Sequence, residues 1–428
     1  MNASITAGIL ATADQDAVEA RALTILQAPE VREQIVAIRR IYAADPMAAM
    51  PGGKAMLESA VNELAWAAVL RGVDTEPTRP KIVWVDASPR EWRGRKLPGA
   101  RWAVDNPDNV YRVAPIDGTS KYEINVRRHG AGPVQFSFLI YSHWVGEDGH
   151  QNQVDAPLGG LRSDEVKWNP DGSFTLTIDA EPANGRPNHI QSTPDSVQLL
   201  IRNTLGDWTT QLPLEMSIKR VGGPPAETPA SDSELARRAA KLMQAAAELS
   251  LNWKKKSLFG HWQDNLLCQP FGRGMHWGFG ASGNFNLTDD EALVVTVDPM
   301  DAHYLGFSVV SLWLASLSDV GKFGSLNGQQ SWRNPDGTYT YVIAAQDPGF
   351  YNWLYTGGLN QGGMFYRWQS LPDSRTSAEG AIRSVKLVKF QDLKRVLPSD
   401  AKFINAAERG TIRKQRAADY ARRYVSAE

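Results

Sequence analysis

Seven histidines are spread along the chain, and three stand directly before tryptophan: His143-Trp144, His261-Trp262 and His276-Trp277. An imidazole beside an indole suits an aromatic-walled pocket with one acid/base group, because ligand pockets carry few, well-placed polar groups. The same pairing also suits rings that pack at strand ends. His143, Glu147 and His150 are spaced like metal ligands, since zinc and iron accept two imidazoles and a carboxylate. Gly146 and Asp148-Gly149 make that stretch a turn instead of a helix face. No metal and no other cofactor is expected.

Asp105, Asp108 and Tyr111 read as a counterpart of Asp289, Asp290 and Glu291, both groups lying just before a strand. Acid pairs can hold a cation or serve in acid–base work. Turn chemistry, in which Asp bonds its own backbone, accounts for them as well. Arg202 and Arg367 hold matching places in apolar strands. A buried guanidinium is costly alone, so each should meet an internal carboxylate or an anionic group of a ligand. The tract from Gln269 to Gly283 is rich in Gly and aromatic residues but lacks the Lys-Ser/Thr ending of a phosphate loop. It reads as the lining of a ligand mouth or as a plain connection. No Gly-x-Ser-x-Gly elbow is present, and Cys268, beside Leu266 and Leu267, reads as a packing residue.

The elements that must position these residues are written twice. Asn169-Pro-Asp-Gly172 returns as Asn334-Pro-Asp-Gly337, an offset of 334 − 169 = 165. Asn188-His189 returns as Asn352-Trp353 (352 − 188 = 164), and Arg202 as Arg367 (367 − 202 = 165). A constant offset over several segments marks a duplicated unit. Within each copy, short runs such as Tyr122–Val126, Val134–Tyr141, Phe174–Ile178, Tyr304–Val310 and Tyr339–Ile343 alternate with turn residues. That grammar argues for β-sandwiches. The expected fold is mainly β with α: two jelly-roll-like β-sandwich units, with helical segments before, between and after them.

With 428 residues the chain exceeds one ordinary core. We divide it into an N-terminal helical segment (1–76), a first unit (77–221), a linker and helix (222–262), a second unit (263–392) and a basic C-terminal helix (393–428). Val31, Ile35, Ile38 and Tyr42 form a helical stripe, as do Leu57, Val61, Leu64 and Ala68, with Pro51-Gly52-Gly53 read as a separator. Ser231-Asp-Ser-Glu234 has the form of a capping box. Arg413, Lys414, Arg416, Arg422 and Arg423 read as the solvated face of the last helix. A net charge of −1 gives no field to gather nucleic acid. No leader and no membrane span is read, so the chain is expected to be cytoplasmic. Self-association into a homo-oligomer is left open.

Asp336-Gly337, Pro348, Asn352-Trp353-Leu354 and Arg367 resemble the Asn-Trp-Leu-Pro signature of an uncharacterised bacterial family catalogued as domain of unknown function 1214. The first copy keeps the frame as Asp171-Gly172, Asn188-His189-Ile190 and Arg202, with Trp208 near the family's Gly-x-Trp. Asp105-Asn-Pro-Asp-Asn-Val-Tyr111 resembles a further segment of that family. Tyr355 stands where the signature has Pro, and His189 where it has Trp. The resemblance implies a jelly-roll-like sandwich and no agreed reaction.

Together these readings point to a small-molecule binding protein, an enzyme of lyase or hydrolase type, acting on an apolar, aromatic or glycosidic compound in an aromatic-lined pocket. Asn352, Trp353, Tyr355 and Arg367 would contact the ligand, with His276 or His303 as acid/base. The competing class is a scaffold whose 14 tryptophans fill cores.

Overall fold

The computed structural model describes residues 8–144, 147, 157–226, 228–254, 263–273, 278–318 and 322–424. The first unit contains β1 (Val83–Asp86), β2 (Arg90–Trp92), β3 (Arg95–Leu97), β4 (Asn109–Pro115), β5 (Lys121–Arg127), β6 (Gln135–Tyr141), β7 (Gly159–Arg162), β8 (Ser173–Asp179), β9 (His189–Gln191), β10 (Gln198–Thr204) and β11 (Glu215–Gly222). The second contains β12 (Leu266–Leu267), β13 (Phe271–Arg273), β14 (Gly278–Asn286), β15 (Glu291–Val297), β16 (Tyr304–Val310), β17 (Ser325–Asn327), β18 (Tyr339–Ala344), β19 (Trp353–Tyr355), β20 (Gln361–Gln369) and β21 (Ile382–Lys389). The helices are α1 (Ala13–Ile25), α2 (Pro29–Ala43), α3 (Pro51–Val73), α4 (Asp232–Trp253), α5 (Leu393–Val396) and α6 (Ala406–Ala421).

The two units repeat one topology. The first has sheets β1-β4-β10-β6-β7 and β11-β5-β8-β9, and the second has β12-β14-β20-β16-β17 and β21-β15-β18-β19. Both place a parallel pair, β8 with β9 and β18 with β19, among antiparallel neighbours. The Asn-Pro-Asp-Gly turns precede β8 and β18, and in each the Gly N–H bonds the Asn carbonyl, at 3.0 and 2.9 Å. Gly172 and Gly337 take φ of 77° and 85°, which side chains disfavour.

Alternation decides which face each strand buries. In β5, Tyr122, Ile124 and Val126 are buried between exposed neighbours, and β8 buries Phe174, Leu176 and Ile178 on the same alternation, with Thr175 exposed between them. These side chains meet Phe136, Phe138 and Ile140 to form the first sandwich core. The whole of β6 is buried because its other face, Leu139 and Tyr141, is covered by helices. Full burial of one such aliphatic side chain contributes about 1.5–3 kcal/mol.

That helical cover joins α1, α2 and α3 with α4 in one layer. Ser231 caps α4 as the sequence predicts, with Glu234 closing the box. Pro51-Gly52-Gly53 does not separate helices. It is the first turn of α3, with Pro at a position that needs no N–H. A Cβ on Gly53 would lie 1.8 Å from the Met47 carbonyl oxygen, so only glycine lets the chain pass. The tract from Gln269 to Gly283 is likewise no simple connection: its described parts include β13 and most of β14, and β14 is an inner strand of the second unit. His276 lies outside the described residues.

The last helix also differs from its sequence reading. Arg416 and Arg423, with Arg409, recur every seven residues on one buried stripe. Arg409 bonds Asp347 and the carbonyls of Phe350 and Tyr351 in the second unit. Arg416 bonds the carbonyls of Lys322 and Ser325 and the Gln330 side chain, and lies 4.2 Å over the Trp208 ring of the first unit. The helix therefore clasps both units through cations, where periodicity alone suggested a wet face. Arg413 and Lys414 are exposed as expected.

Candidate functional site

The signature residues are spent on the fold. Asn352 is fully buried: its amide oxygen accepts from Trp332 N–H at 2.7 Å, and its NH2 donates to the Trp332 and Thr340 carbonyls. Asn188 ties Lys167 in the same way, at 2.8 Å on both sides. Trp353 donates to the Ala344 carbonyl and packs against Phe323, Tyr355 and the Arg409 guanidinium inside the second core. Tyr355 is half-buried beside it. Arg367 meets no carboxylate among the described residues. It donates to Ser308 Oγ at 3.0 Å and, across to the first unit, to the Val104 carbonyl at 2.7 Å. Arg202 lies half-buried in β10.

That last bond leads to the seam between the units. Ala103 and Val104 have φ of 51° and 60°, and Leu314 has 65°. A left-handed β-branched residue costs about 1–3 kcal/mol and persists only where its surroundings hold it. Here Val104 N–H bonds the Leu314 carbonyl while Arg367 holds the Val104 carbonyl. Asp105, next along, accepts from Ser316 N–H and Oγ at 2.8 and 2.6 Å. Burial lifts its carboxyl to about 6, against those two bonds. Asp108 accepts from Trp208 Nε1, Asn327 Nδ2 and the Tyr304 hydroxyl, at 2.9, 3.1 and 2.7 Å. Burial raises the Asp108 carboxyl too, and pushes the Tyr304 phenol well up, so the phenol stays a donor. The acids read as turn residues are thus the polar core of the joint. Their proposed counterpart does not hold: pairing places Tyr111 opposite Arg202 where Gly280 faces Arg367. Asp290 and Glu291 instead pair with exposed Lys389.

In front of this joint lies a cleft of about 300 Å³, lined by Gly206 of the first unit and by Asp301, His303, Tyr304, Asn327, Gln329, Arg333 and Tyr339 of the second. The cleft wall is thus the outer side of Tyr304 and Asn327, the residues that grip Asp108. The turn before His303 has Met300 and Asp301 left-handed (φ 57° and 60°), closed by Ala302 N–H on the Pro299 carbonyl. Both central residues have positive φ, as in a type I′ turn. His303 N–H then bonds the carbonyl of Ser370, another left-handed residue. The imidazole is exposed and makes no hydrogen bond among the described residues. The Gln329 amide and the Tyr339 hydroxyl are equally unengaged by protein among the described residues, and Arg333 uses only Nε, on the Gly337 carbonyl. The imidazole, the Gln329 amide, the Tyr339 hydroxyl and the two terminal nitrogens of Arg333 therefore stand at one cleft with no hydrogen-bond partner among the described residues. An arginine there can take a carboxylate, and an imidazole can move a proton. Of the described residues chosen from sequence, only His303 lines it. Gln329, Arg333 and Tyr339 were missed, although Arg333 immediately precedes the repeated Asn-Pro-Asp-Gly turn.

No three His, Cys, Asp or Glu side chains gather as a metal would require among the described residues. Glu147 caps the Trp144 N–H at 2.9 Å, His143 is buried, and His150 lies outside the described residues. His261 also lies outside them. Cys268 is half-buried on the edge of the second core. No described helix is long and apolar enough to cross a membrane.

No family model and no curated protein matches the sequence. Among solved structures the chain is similar to an uncharacterised protein from Burkholderia cenocepacia, with 22% identity and a TM-score of 0.69 over 86% of this chain and 99% of that one. It is similar more distantly to a protein from Vibrio parahaemolyticus, with 10% identity and a TM-score of 0.42 over 67% and 90% of the two chains. The Burkholderia likeness extends over both units and shows a shared fold.

Proposed function

We propose that this chain is a cytoplasmic small-molecule binding protein whose ligand sits in the seam cleft, with His303 as the acid/base of a lyase or hydrolase reaction. The observation that carries it is the set of unengaged groups on His303, Gln329, Arg333 and Tyr339. They favour the glycosidic member of the expected ligand classes, because a hydroxylated ring offers partners to Gln329 and Tyr339 and a carboxylate would meet Arg333. The ligand is therefore a sugar acid or a glycoside carrying one. Kinship with the family catalogued as domain of unknown function 1214 belongs to the same proposal. Asn352 and Arg367 would then be parts of its frame and not of its site.

A specific observation favours the scaffold alternative for the tryptophans themselves. Trp66, Trp84, Trp102, Trp144, Trp208, Trp313, Trp353 and Trp368 are all buried. The two readings separate in calorimetry with galacturonate as probe. Arg333→Ala should weaken binding by about 1.5–3 kcal/mol, the worth of a hydrogen bond to a charged group, with an unchanged melting temperature. Trp353→Ala should lower stability by about 3–5 kcal/mol and leave the affinity of the folded fraction unaltered. Galacturonate affinity lost in Trp353→Ala and kept in Arg333→Ala would return the site to the second core.

A further inference from the structure

A second cleft of about 310 Å³ adjoins the first, and His303 lines both. It belongs mostly to the first unit, with Val134, Asp164, Trp168 and Arg128 on its walls and Ser370 reaching in from the second. Strand pairing shows that the two clefts are one place in the fold, built twice. Ser137 faces Arg202 as Gly306 faces Arg367, so Val134 corresponds to His303. Ser137 faces Arg162 as Gly306 faces Asn327, so Asp164 corresponds to Gln329. Trp168 and Arg333 each stand just before the repeated Asn-Pro-Asp-Gly turn. The duplication has thus set two equivalent edges side by side. A Cβ on Gly206 would touch Val134 at 3.6 Å and Gln329 at 3.8 Å, one residue from each cleft.

The chemistry of the clefts has diverged, but each sets an arginine over an aromatic ring, from positions that are not equivalent. In the first, Arg333 lies over the Tyr339 ring at 5.9 Å; in the second, Arg128 lies over the Trp168 ring at 4.9 Å. Neither arginine bonds a carboxylate among the described residues. Of the acids nearby, Asp301 pairs with Arg375 at 2.9 Å, and Asp164 shares Arg162 with Glu165, at 3.2 and 3.5 Å. Each cleft alone is at the small end of ligand pockets, while the pair together reaches the middle of that range.

We propose that the two clefts are subsites of one groove for an acidic oligosaccharide, which places one uronate carboxylate on Arg333, the next on Arg128, and the linkage between the rings beside His303. The proposal rests on the seam cleft being the ligand site. A ligand that engages both subsites gains by effective concentration, with no new kind of contact needed. The test is calorimetry on the full chain with galacturonate and digalacturonate. Digalacturonate should bind roughly tenfold tighter than the monomer, or more. Arg128→Ala, at an exposed position, should bring the digalacturonate affinity down to that of the parent for the monomer, whereas Arg333→Ala should weaken both sugars. Equal affinity for the two sugars, or an Arg128→Ala variant that binds the dimer like the parent, overturns the two-subsite groove while the single cleft stands. No binding of either sugar at millimolar concentration overturns both.

Discussion

At the scale of single residues, the molecule separates side chains that are spent from those that are not. Asn352, Trp353 and Arg367 looked functional because the Asn and Arg keep their places in both copies and the second copy adds an aromatic run around them. Their atoms are consumed by the Trp332 backbone, the Ala344 carbonyl, and Ser308 with Val104. No sequence pattern distinguishes an Asn that ties a loop from one that awaits a ligand, since both need a fixed amide. Asp105 carries a consequence for stability. Its carboxyl stays protonated in the fold up to about pH 6, whereas an unfolded chain ionises it near about 4. The folded state therefore binds the extra proton, and stability falls as pH rises through that window. Asp74, buried and lifted to about 7 against Lys81 at 4.0 Å, acts in the same direction. Asp105→Asn keeps an acceptor for Ser316 N–H and no longer ionises. Denaturant titrations should find it on the order of 3 kcal/mol more stable than the parent at about pH 7 and nearly equal at about pH 4. A variant less stable at neutral pH would mean that the ionised carboxylate is what the joint needs.

At the scale of elements, α4 was readable because a capping box and an apolar stripe are local signals. The last helix was not. Its cations at Arg409, Arg416 and Arg423 look like solvent groups until a partner surface of carbonyls and rings is supplied by the two units. Removing Arg416 takes away its bonds to the Lys322 and Ser325 carbonyls and to Gln330 Oε1, which would keep only the Asn327 N–H. Arg416→Ala should cost about 2–4 kcal/mol, more than its loss of charge on an exposed helix would. Thermal melts of Arg416→Ala against Arg413→Ala measure this directly. Arg413 is exposed, so its variant should melt within about a degree or two of the parent. Equal melting of the two would deny α6 its clasping role.

At the scale of the whole molecule, the duplication was legible in numbers alone, because turn residues and a paired Asn keep a fixed offset of 164–165. The shared strand order bears that out. The seam was not legible. Its polar core draws Asp105 and Asp108 from the first unit and Tyr304, Ser316 and Asn327 from the second, residues about 200 positions apart with no common motif. The cleft exists only because that joint sets two equivalent sandwich edges side by side, with His303 between them. A crystal structure grown with digalacturonate tests this most directly. One sugar ring should lie against Arg333 and Tyr339, the other against Arg128 and Trp168, and the linking oxygen beside the His303 imidazole. Sugar ordered elsewhere on the protein, or both clefts vacant at a concentration that saturates binding in solution, would contradict it.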